Sequence, residues 1–393
     1  MKPLRIRDYT LTSALGAGKP AHLAALREQR TGLSQTSFES CTLSTWTGQV
    51  EGLDRPLAGE LASWDCRNNR LAELGLRQDG FLESVERLRQ RHGAQRVGVF
   101  LGTSTSGIGH TELAYHERQR EAGDALPVWF DFRKTQNIFS CSDFVRRLLR
   151  LDGVTHVVST ACSSSAKVFA SAYRAMQCGL CDAAVIGGVD SLCLTTLYGF
   201  NALQLLSADI CRPADAARNG ISIGEAAGFA IVEFVDEPGL ALLGYGESSD
   251  AHHMSAPDPE GRGALAAMGA ALRRSGLAPS DIGYVNLHGT ATPANDLAED
   301  KAVSALLGVR TPCSSTKGWT GHTLGAAGIV EASISLLAIE HALLPRSLNT
   351  RQRDPQLQSA ILMENREARV ACAMSNSFGF GGSNCSLVFG AQG

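Results

Sequence analysis

Among the 11 cysteines and 10 histidines of this 393-residue chain, one cysteine and two histidines stand in settings that could do chemistry. Cys162 lies in Val157-Val158-Ser159-Thr160-Ala161-Cys162-Ser163-Ser164-Ser165-Ala166, where a β-branched run gives way to small residues and then to a helical apolar pattern. That spacing predicts a thiol on a strand-to-helix turn, where unpaired N–H groups and the helix dipole favour the thiolate. A buried structural cysteine would fit the same turn. His288 ends an apolar strand and opens Gly289-Thr290-Ala291-Thr292-Pro293. His322 sits in Lys317-Gly318-Trp319-Thr320-Gly321-His322-Thr323-Leu324-Gly325-Ala326-Ala327-Gly328, ahead of a long apolar helix. Alone, either histidine reads as a hydrogen-bonded core residue. Two of them beside glycines and hydroxyls, in a chain with a turn-mounted cysteine, favour covalent catalysis. No metal site is expected, because the adjacent His252-His253 pair lacks further ligands.

The elements that hold these residues read as a layered α/β fold. Val97-Gly98-Val99-Phe100-Leu101 and Ala183-Ala184-Val185-Ile186-Gly187-Gly188-Val189 are continuous apolar strands, and residues 224–235 contain another. Continuous apolarity means burial on both faces, as in a sheet sandwiched between helices. Helices are predicted over residues 20–29 and 135–149, with amphipathic pieces over 71–91; the rest of the first 95 residues gives no clear order. A similar order then recurs. Strands are predicted at 240–246 and 283–287, helices at 263–274, 297–307 and 326–343, and final strands at 370–375 and 384–389. The turn and helix after His322 correspond to the turn and helix after Cys162, which suggests a duplication. Its join falls near Asp236-Glu237-Pro238-Gly239, giving halves of 1–236 and 237–393.

Composition bounds the partners. A formal charge of −3 gives no basic field for phosphates, which argues against nucleic acid but leaves room for an acidic carrier protein. The first residues lack the apolar core of a signal peptide, and no run approaches the roughly 18 uninterrupted apolar residues of a membrane span, so a cytoplasmic protein is expected. An odd number of scattered cysteines argues against a disulfide framework and a structural zinc site.

Thr160-Ala161-Cys162-Ser163-Ser164-Ser165, His288-Gly289-Thr290-Ala291-Thr292 and Gly321-His322-Thr323-Leu324-Gly325-Ala326-Ala327-Gly328 resemble, in order and spacing, the active-site motifs of elongating β-ketoacyl-acyl-carrier-protein synthases. Asn376-Ser377-Phe378-Gly379-Phe380-Gly381-Gly382-Ser383-Asn384 is similar to that family's C-terminal glycine loop. The resemblance implies a thiolase-like five-layer α-β-α-β-α fold made of two similar halves. It also implies a decarboxylative Claisen condensation. Cys162 would carry the acyl chain, and the amides of Cys162 and Phe380 would bind the oxyanion. His288 and His322 would each donate a hydrogen bond to the enolate of a malonyl thioester, each tautomer fixed by the other ring nitrogen. Lys317 and Glu331 would support the second histidine. Thr290 and Thr292 would bind a pantetheine arm, Phe378 and Phe380 would gate the acyl pocket, and Thr105 would border it. The resemblance further implies no cofactor, a partnership with acyl carrier protein, and a dimer through the central sheet. That dimer would form either with a second copy or with a ketosynthase-like chain-length partner.

Neighbouring readings differ by a few residues. A chain-initiating synthase would carry Asn at one histidine position, a thiolase would place a second cysteine in the C-terminal loop, and a chain-length partner would lack the nucleophile. Here both histidines and Cys162 are present, and Cys385 lies beyond the loop. A cysteine hydrolase on an α/β scaffold and a pure binding protein of the same fold stay open. Ser159 and the segment Arg212 to Ile221 depart from the pattern of housekeeping members, which leaves fatty-acid synthesis and a dedicated polyene or polyketide-like pathway both open.

Overall fold

Strands that are apolar on both faces need a core on each side, and the chain provides two. The computed structural model describes residues 1–118, 125–235 and 237–392. Its principal strands are β1 (Leu4–Ser13), β2 (Val97–Gly102), β3 (Thr155–Val158), β4 (Ala183–Asp190), β5 (Ala226–Glu233) and β6 (Gly239–Ser249), followed by β7 (Ile282–Asn286), β8 (Pro312–Ser314), β9 (Ala360–Ile361), β10 (Cys372–Gly379) and β11 (Ser383–Gln392). They lie in the order β9-β8-β7-β10-β11-β6-β1-β5-β4-β2-β3.

The order is the same on each side of the β1–β6 contact. With the two-residue edge strand β9 set aside and reading outward, β1-β5-β4-β2-β3 takes the first, fifth, fourth, second and third strands of one set, and β6-β11-β10-β7-β8 takes the same positions of the other. Strand senses match too. Strands β4, β2 and β3 run parallel, as do β10, β7 and β8 with β9 added parallel at the edge, and the remaining pairings are antiparallel. The sets meet where Leu4 and Arg5 pair with Leu242 and Ala241. Asp236, at the expected join, lies outside the described residues.

Alternation along each strand sorts side chains into layers. Val97, Val99 and Leu101 pack outward with Phe81, Val85 and Phe144 of the outer helices. Phe100 packs inward with Phe169 and Val330 of the helices Ser164–Gln177 and Ala327–His341. On the far side, Val285, Met374 and Val388 pack against Met268 and Val303 of the helices Arg262–Ser275 and Pro293–Leu307. The result is helix, sheet, helix pair, sheet, helix. The inner pair matters most for the site, because each helix follows the third strand of its set. Their N-terminal turns touch: a Cβ on Gly328 would fall 2.3 Å from the Ala166 nitrogen, so only glycine allows this approach. One stretch of the described residues, Leu324–His341, is long and apolar enough to cross a bilayer, and it is this central helix, 83% buried in the fold.

Several expectations shift. β1 escaped prediction because a bulge between Ile6 and Asp8 breaks its alternation. The helix expected from residue 135 begins at Ser140, because turns carry Asp131 to Asn137. The helix expected from residue 297 begins at Pro293, where proline lacks an N–H that the first turn would not use. A C-x-x-C spacing occurs at Cys178-Gly179-Leu180-Cys181 just past a helix end, with Cys178 exposed and Cys181 buried; all eleven cysteines are unpaired.

Candidate active site

Each of the three chemical side chains is delivered by a loop at a strand end. β3 runs into Ala161, held at φ 51°, an unusual value for a residue with a Cβ. Ser164 Oγ accepts from the Thr160 N–H at 2.9 Å and donates to the Ala161 carbonyl at 2.6 Å, which fixes that turn. Cys162 then stands one residue before the helix N-cap, Ser163. His288 follows β7, where its N–H and that of Gly289 each donate to the Glu299 carboxylate at 2.8 Å. His322 lies between β8 and the central helix, its N–H donating to the Ser222 carbonyl at 2.7 Å.

These loops converge. His322 Nε2 lies 2.9 Å from Cys162 Sγ. The reactive atoms of Cys162, His288 and His322 all fall within 4.8 Å of one another, and the two imidazoles meet edge-on with centroids 5.4 Å apart. All three residues are buried. Behind them, the Lys317 ammonium sits 3.3 Å from His288 Nδ1 and also binds the His288 carbonyl and the Glu331 carboxylate. An ammonium only donates, so His288 Nδ1 accepts and the ring hydrogen belongs on Nε2. His322 differs from the expectation here. Its Nδ1 is buried without a hydrogen-bond partner, so no neighbour fixes its tautomer.

Burial sets the resting charge state. It holds both imidazoles well below their ordinary range, reinforced by the Lys317 cation, so both are neutral near pH 7. Burial also pushes the Cys162 thiol up to about 12, against the pull of Lys317 and of the Phe380 N–H that points at the sulfur. The helix end is therefore outweighed, and the resting pair is a thiol beside a neutral imidazole. Glu299 and Glu331 are each raised by burial to about 7.

A cavity of about 420 Å³ opens onto the three residues. Thr290, Thr292, Phe378 and Phe380 line it, as does Phe200, which the sequence did not single out. The two threonine hydroxyls lie 2.9 Å apart. The Phe378 ring is 5.9 Å from the His288 ring, and Phe380 packs on Phe200 at 5.6 Å. A Cβ on Gly379 would fall 3.3 Å from the Cys162 nitrogen, so glycine lets this loop run against the Cys162 amide. Thr105 is not brought to this cavity: its N–H and hydroxyl both donate to Asp190, at 2.8 and 2.7 Å.

Asp190 and Glu299 were missed. Asp190, fully buried at the end of β4, accepts from Thr103, Ser104, Thr105 and the Gly325 N–H, three residues beyond His322. An aspartate closing a wholly apolar strand was the available signal. Glu299 lies one helical turn beyond Asp296, and a helix acid beside the His288 loop was the cue.

Two duplicated halves meeting at a buried Cys–His–His cluster define a condensing enzyme of thiolase-like fold. Comparison with known proteins narrows the class. The family described as "Beta-ketoacyl synthase, N-terminal domain" matches residues 76–237, and "Beta-ketoacyl synthase, C-terminal domain" matches 241–351. The mitochondrial 3-oxoacyl-[acyl-carrier-protein] synthase of Arabidopsis thaliana is 36% identical over 340 residues, covering 81% of this chain and 72% of that protein. 3-Oxoacyl-[acyl-carrier-protein] synthase 2 of Staphylococcus aureus is 31% identical over 361 residues, covering 85% and 89%. A ketosynthase (ApeO) of Xenorhabdus doucetiae, solved in complex with its chain length factor (ApeC), superposes with a TM-score of 0.91 at 37% identity, covering 100% of this chain and 98% of that one. The chain belongs to the β-ketoacyl synthase family, and its activity is that of an acyltransferase of the 3-oxoacyl-[acyl-carrier-protein] synthase class.

Proposed function

We propose that Cys162 is the acyl carrier and that His288 and His322 drive decarboxylative condensation with a malonyl thioester. The observation that carries this reading is the 2.9 Å approach of His322 Nε2 to Cys162 Sγ in a cavity shared with a His288 whose tautomer Lys317 sets. In the first stage the thiol proton passes to His322 Nε2 as sulfur attacks the acyl thioester, and the carrier thiol leaves with a proton. The Cys162 and Phe380 amides bind the tetrahedral oxyanion. In the second stage a malonyl thioester occupies the cavity, its arm on Thr290 and Thr292, and carbon dioxide departs. The enolate oxygen accepts hydrogen bonds from His288 Nε2 and His322. The enolate carbon attacks the acyl-cysteine and expels the Cys162 thiolate, giving a β-ketoacyl thioester, and the thiolate takes a proton from solvent to restore the resting thiol. Lys317 and Glu331 support the histidines, and Phe378 and Phe380 gate the acyl side.

The substrates ride on acyl carrier protein in the cytoplasm, and no resident cofactor enters the scheme. The halves 1–236 and 237–393 supply the nucleophile and both histidines respectively. A ketosynthase-like chain-length partner is favoured over a second copy, because the Xenorhabdus doucetiae ketosynthase that aligns over this whole chain was solved with one. The chain elongated belongs either to fatty-acid synthesis or to a dedicated polyene or polyketide-like pathway. β3, at one open edge of the sheet, is the strand through which such a dimer would form. The test is incubation with acyl- and malonyl-carrier proteins, read by mass. An acyl adduct on Cys162 and a product two carbons longer are expected. Condensation that survives Cys162→Ala would sink the assignment.

A further inference from the structure

We infer that Glu112 is a positioning residue for the acyl side of the site: it anchors a helix whose far end walls the cavity, and so tunes which acyl chains the enzyme accepts. The helix is Leu194–Ala202, which follows the turn after Asp190. Its C-terminal end supplies Phe200 and Leu203 to the cavity wall, and the Phe200 ring packs on Phe380. Of its nine residues only Leu197 is buried, so little apolar burial fixes where it lies. Its cap residue, Cys193, makes no side-chain cap bond, and the first turn carries no acid of its own. The first amides of such a helix lack intrahelical partners. Here the Glu112 carboxylate reaches across from the neighbouring helix Ile108–Arg118 and accepts from the Thr195 N–H at 2.6 Å and the Leu194 N–H at 3.1 Å, one oxygen to each. A carboxylate at that end also meets the positive pole of the helix dipole.

The placement of the anchor makes a lever. Leu197 packs with Ile221 and Leu324, and the Tyr198 hydroxyl accepts from the Thr42 N–H at 3.1 Å, so the helix is held at its middle. Leu194 and Phe200 lie on either side of that hold, roughly 9 Å apart along the axis. Beside the N-terminal end is a groove of about 1000 Å³ that Glu112 and Leu194 line, so packing does not replace the carboxylate there. Freeing the first turn therefore lets the helix tilt about Leu197 and shifts Phe200 against Phe380. The enolate donors and the threonine pair stand on loops of the other half, outside this lever. Acyl acceptance should respond to Glu112, and the malonyl chemistry should not. That consequence rests on the acyl-carrier reading of Cys162; the anchoring of the helix does not.

The experiment follows Glu112→Ala and Glu112→Gln in the full chain by two readouts. Hydrogen exchange, which needs no substrate, should show the amides of residues 194–200 opening at least about tenfold faster in Glu112→Ala, with those of the helix Ser164–Gln177 unchanged. Acylation of Cys162 from a series of acyl carrier proteins, read by mass, should lose about tenfold in kcat/KM, mostly through KM and unequally across chain lengths, while malonyl decarboxylation changes by less than about twofold. Glu112→Gln keeps one acceptor oxygen and should fall between. In Phe200→Ala the lever has no ring to move, so adding Glu112→Ala should cost less than about twofold more. Exchange that Glu112→Ala leaves unchanged, losses that multiply with those of Phe200→Ala, or equal losses in acylation and decarboxylation would each overturn the proposal. Exchange that responds to Glu112 in an enzyme that forms no acyl adduct would uphold the anchor and count against the acyl-carrier reading.

Discussion

The two halves share a strand order but not a duty. In the first, the loop after the second strand spends its hydroxyls on Asp190, and the turn after the third strand presents Cys162. In the second, the loop after the second strand presents His288, and the turn after the third presents His322. Equivalent ends of one scaffold thus hold a buried anion in one half and a proton donor in the other. A duplicated fold brings four loop ends to one place, and substitution within them divides the labour. The half with Cys162 ties its other loop to Asp190, while the half with the histidines keeps a buried cation, Lys317, that fixes the tautomer of His288.

The largest expected effect tests the nucleophile itself. Cys162→Ala should lower condensation by about 10⁴-fold or more, since the proposed acyl intermediate forms on its sulfur. Decarboxylation of malonyl carrier protein should continue, because the enolate donors lie in the other half. If both reactions vanished together in a folded variant, the division between halves would be lost.

Next comes the donor pair. His288→Ala should cost about 10²–10³-fold in kcat, the scale of one preorganised oxyanion donor, in both condensation and decarboxylation. His288→Asn should recover part of it, having an N–H to offer. Because burial and Lys317 hold both imidazoles well below their ordinary range, histidine protonation should add no acid limb near pH 6.5. A limb there that survives Glu299→Gln but disappears in His288→Asn would count against the neutral pair.

Much of this was legible beforehand, and the gaps have physical causes. The Cys162 turn and the strands at 97–101 and 183–189 announced themselves by continuous apolarity and by small residues at their ends. β1 did not, because the bulge after Ile6 moves its apolar residues out of phase. The convergence of Cys162 with His322 across 160 residues is a product of the shared strand order, visible only as a weak echo in element sequence. Asp190 was hidden because the hydroxyls and amides that it holds, from Thr103 to Thr105 and at Gly325, lie far from it in the chain and meet it only in the fold. The orphaned Nδ1 of His322 is likewise a matter of packing.

Asp190 offers a smaller test of the same contrast. A buried carboxylate with this many donors is replaced badly by an amide, whose NH₂ faces at least one N–H. Asp190→Asn should cost about 2–3 kcal/mol of stability by chemical denaturation, with a fall in kcat below that of His288→Ala. The kcat loss would arise through Gly325 and thus through the His322 turn. An effect as large as that of His288→Ala would mean that the first half does more than carry the nucleophile.

The smallest effect separates stability from activity by pH. Burial lifts Glu299 from its ordinary 4.5 to about 7, so in the folded enzyme it takes up a proton as pH falls through neutrality. A raised value makes its contribution to stability full below pH 4.5 and lost as pH rises through 7. Activity should run the other way, because only the carboxylate has both oxygens free to accept from the His288 and Gly289 N–H groups. Raising pH from 6 to 8 should therefore increase kcat several-fold while lowering the denaturation midpoint slightly. Glu299→Gln should flatten both trends, with kcat reduced at high pH because its NH₂ confronts one of those amides. If the glutamine variant kept the rise in kcat, the ionising group would lie elsewhere, and positioning of His288 by Glu299 would no longer distinguish this loop from its Asp190-anchored counterpart.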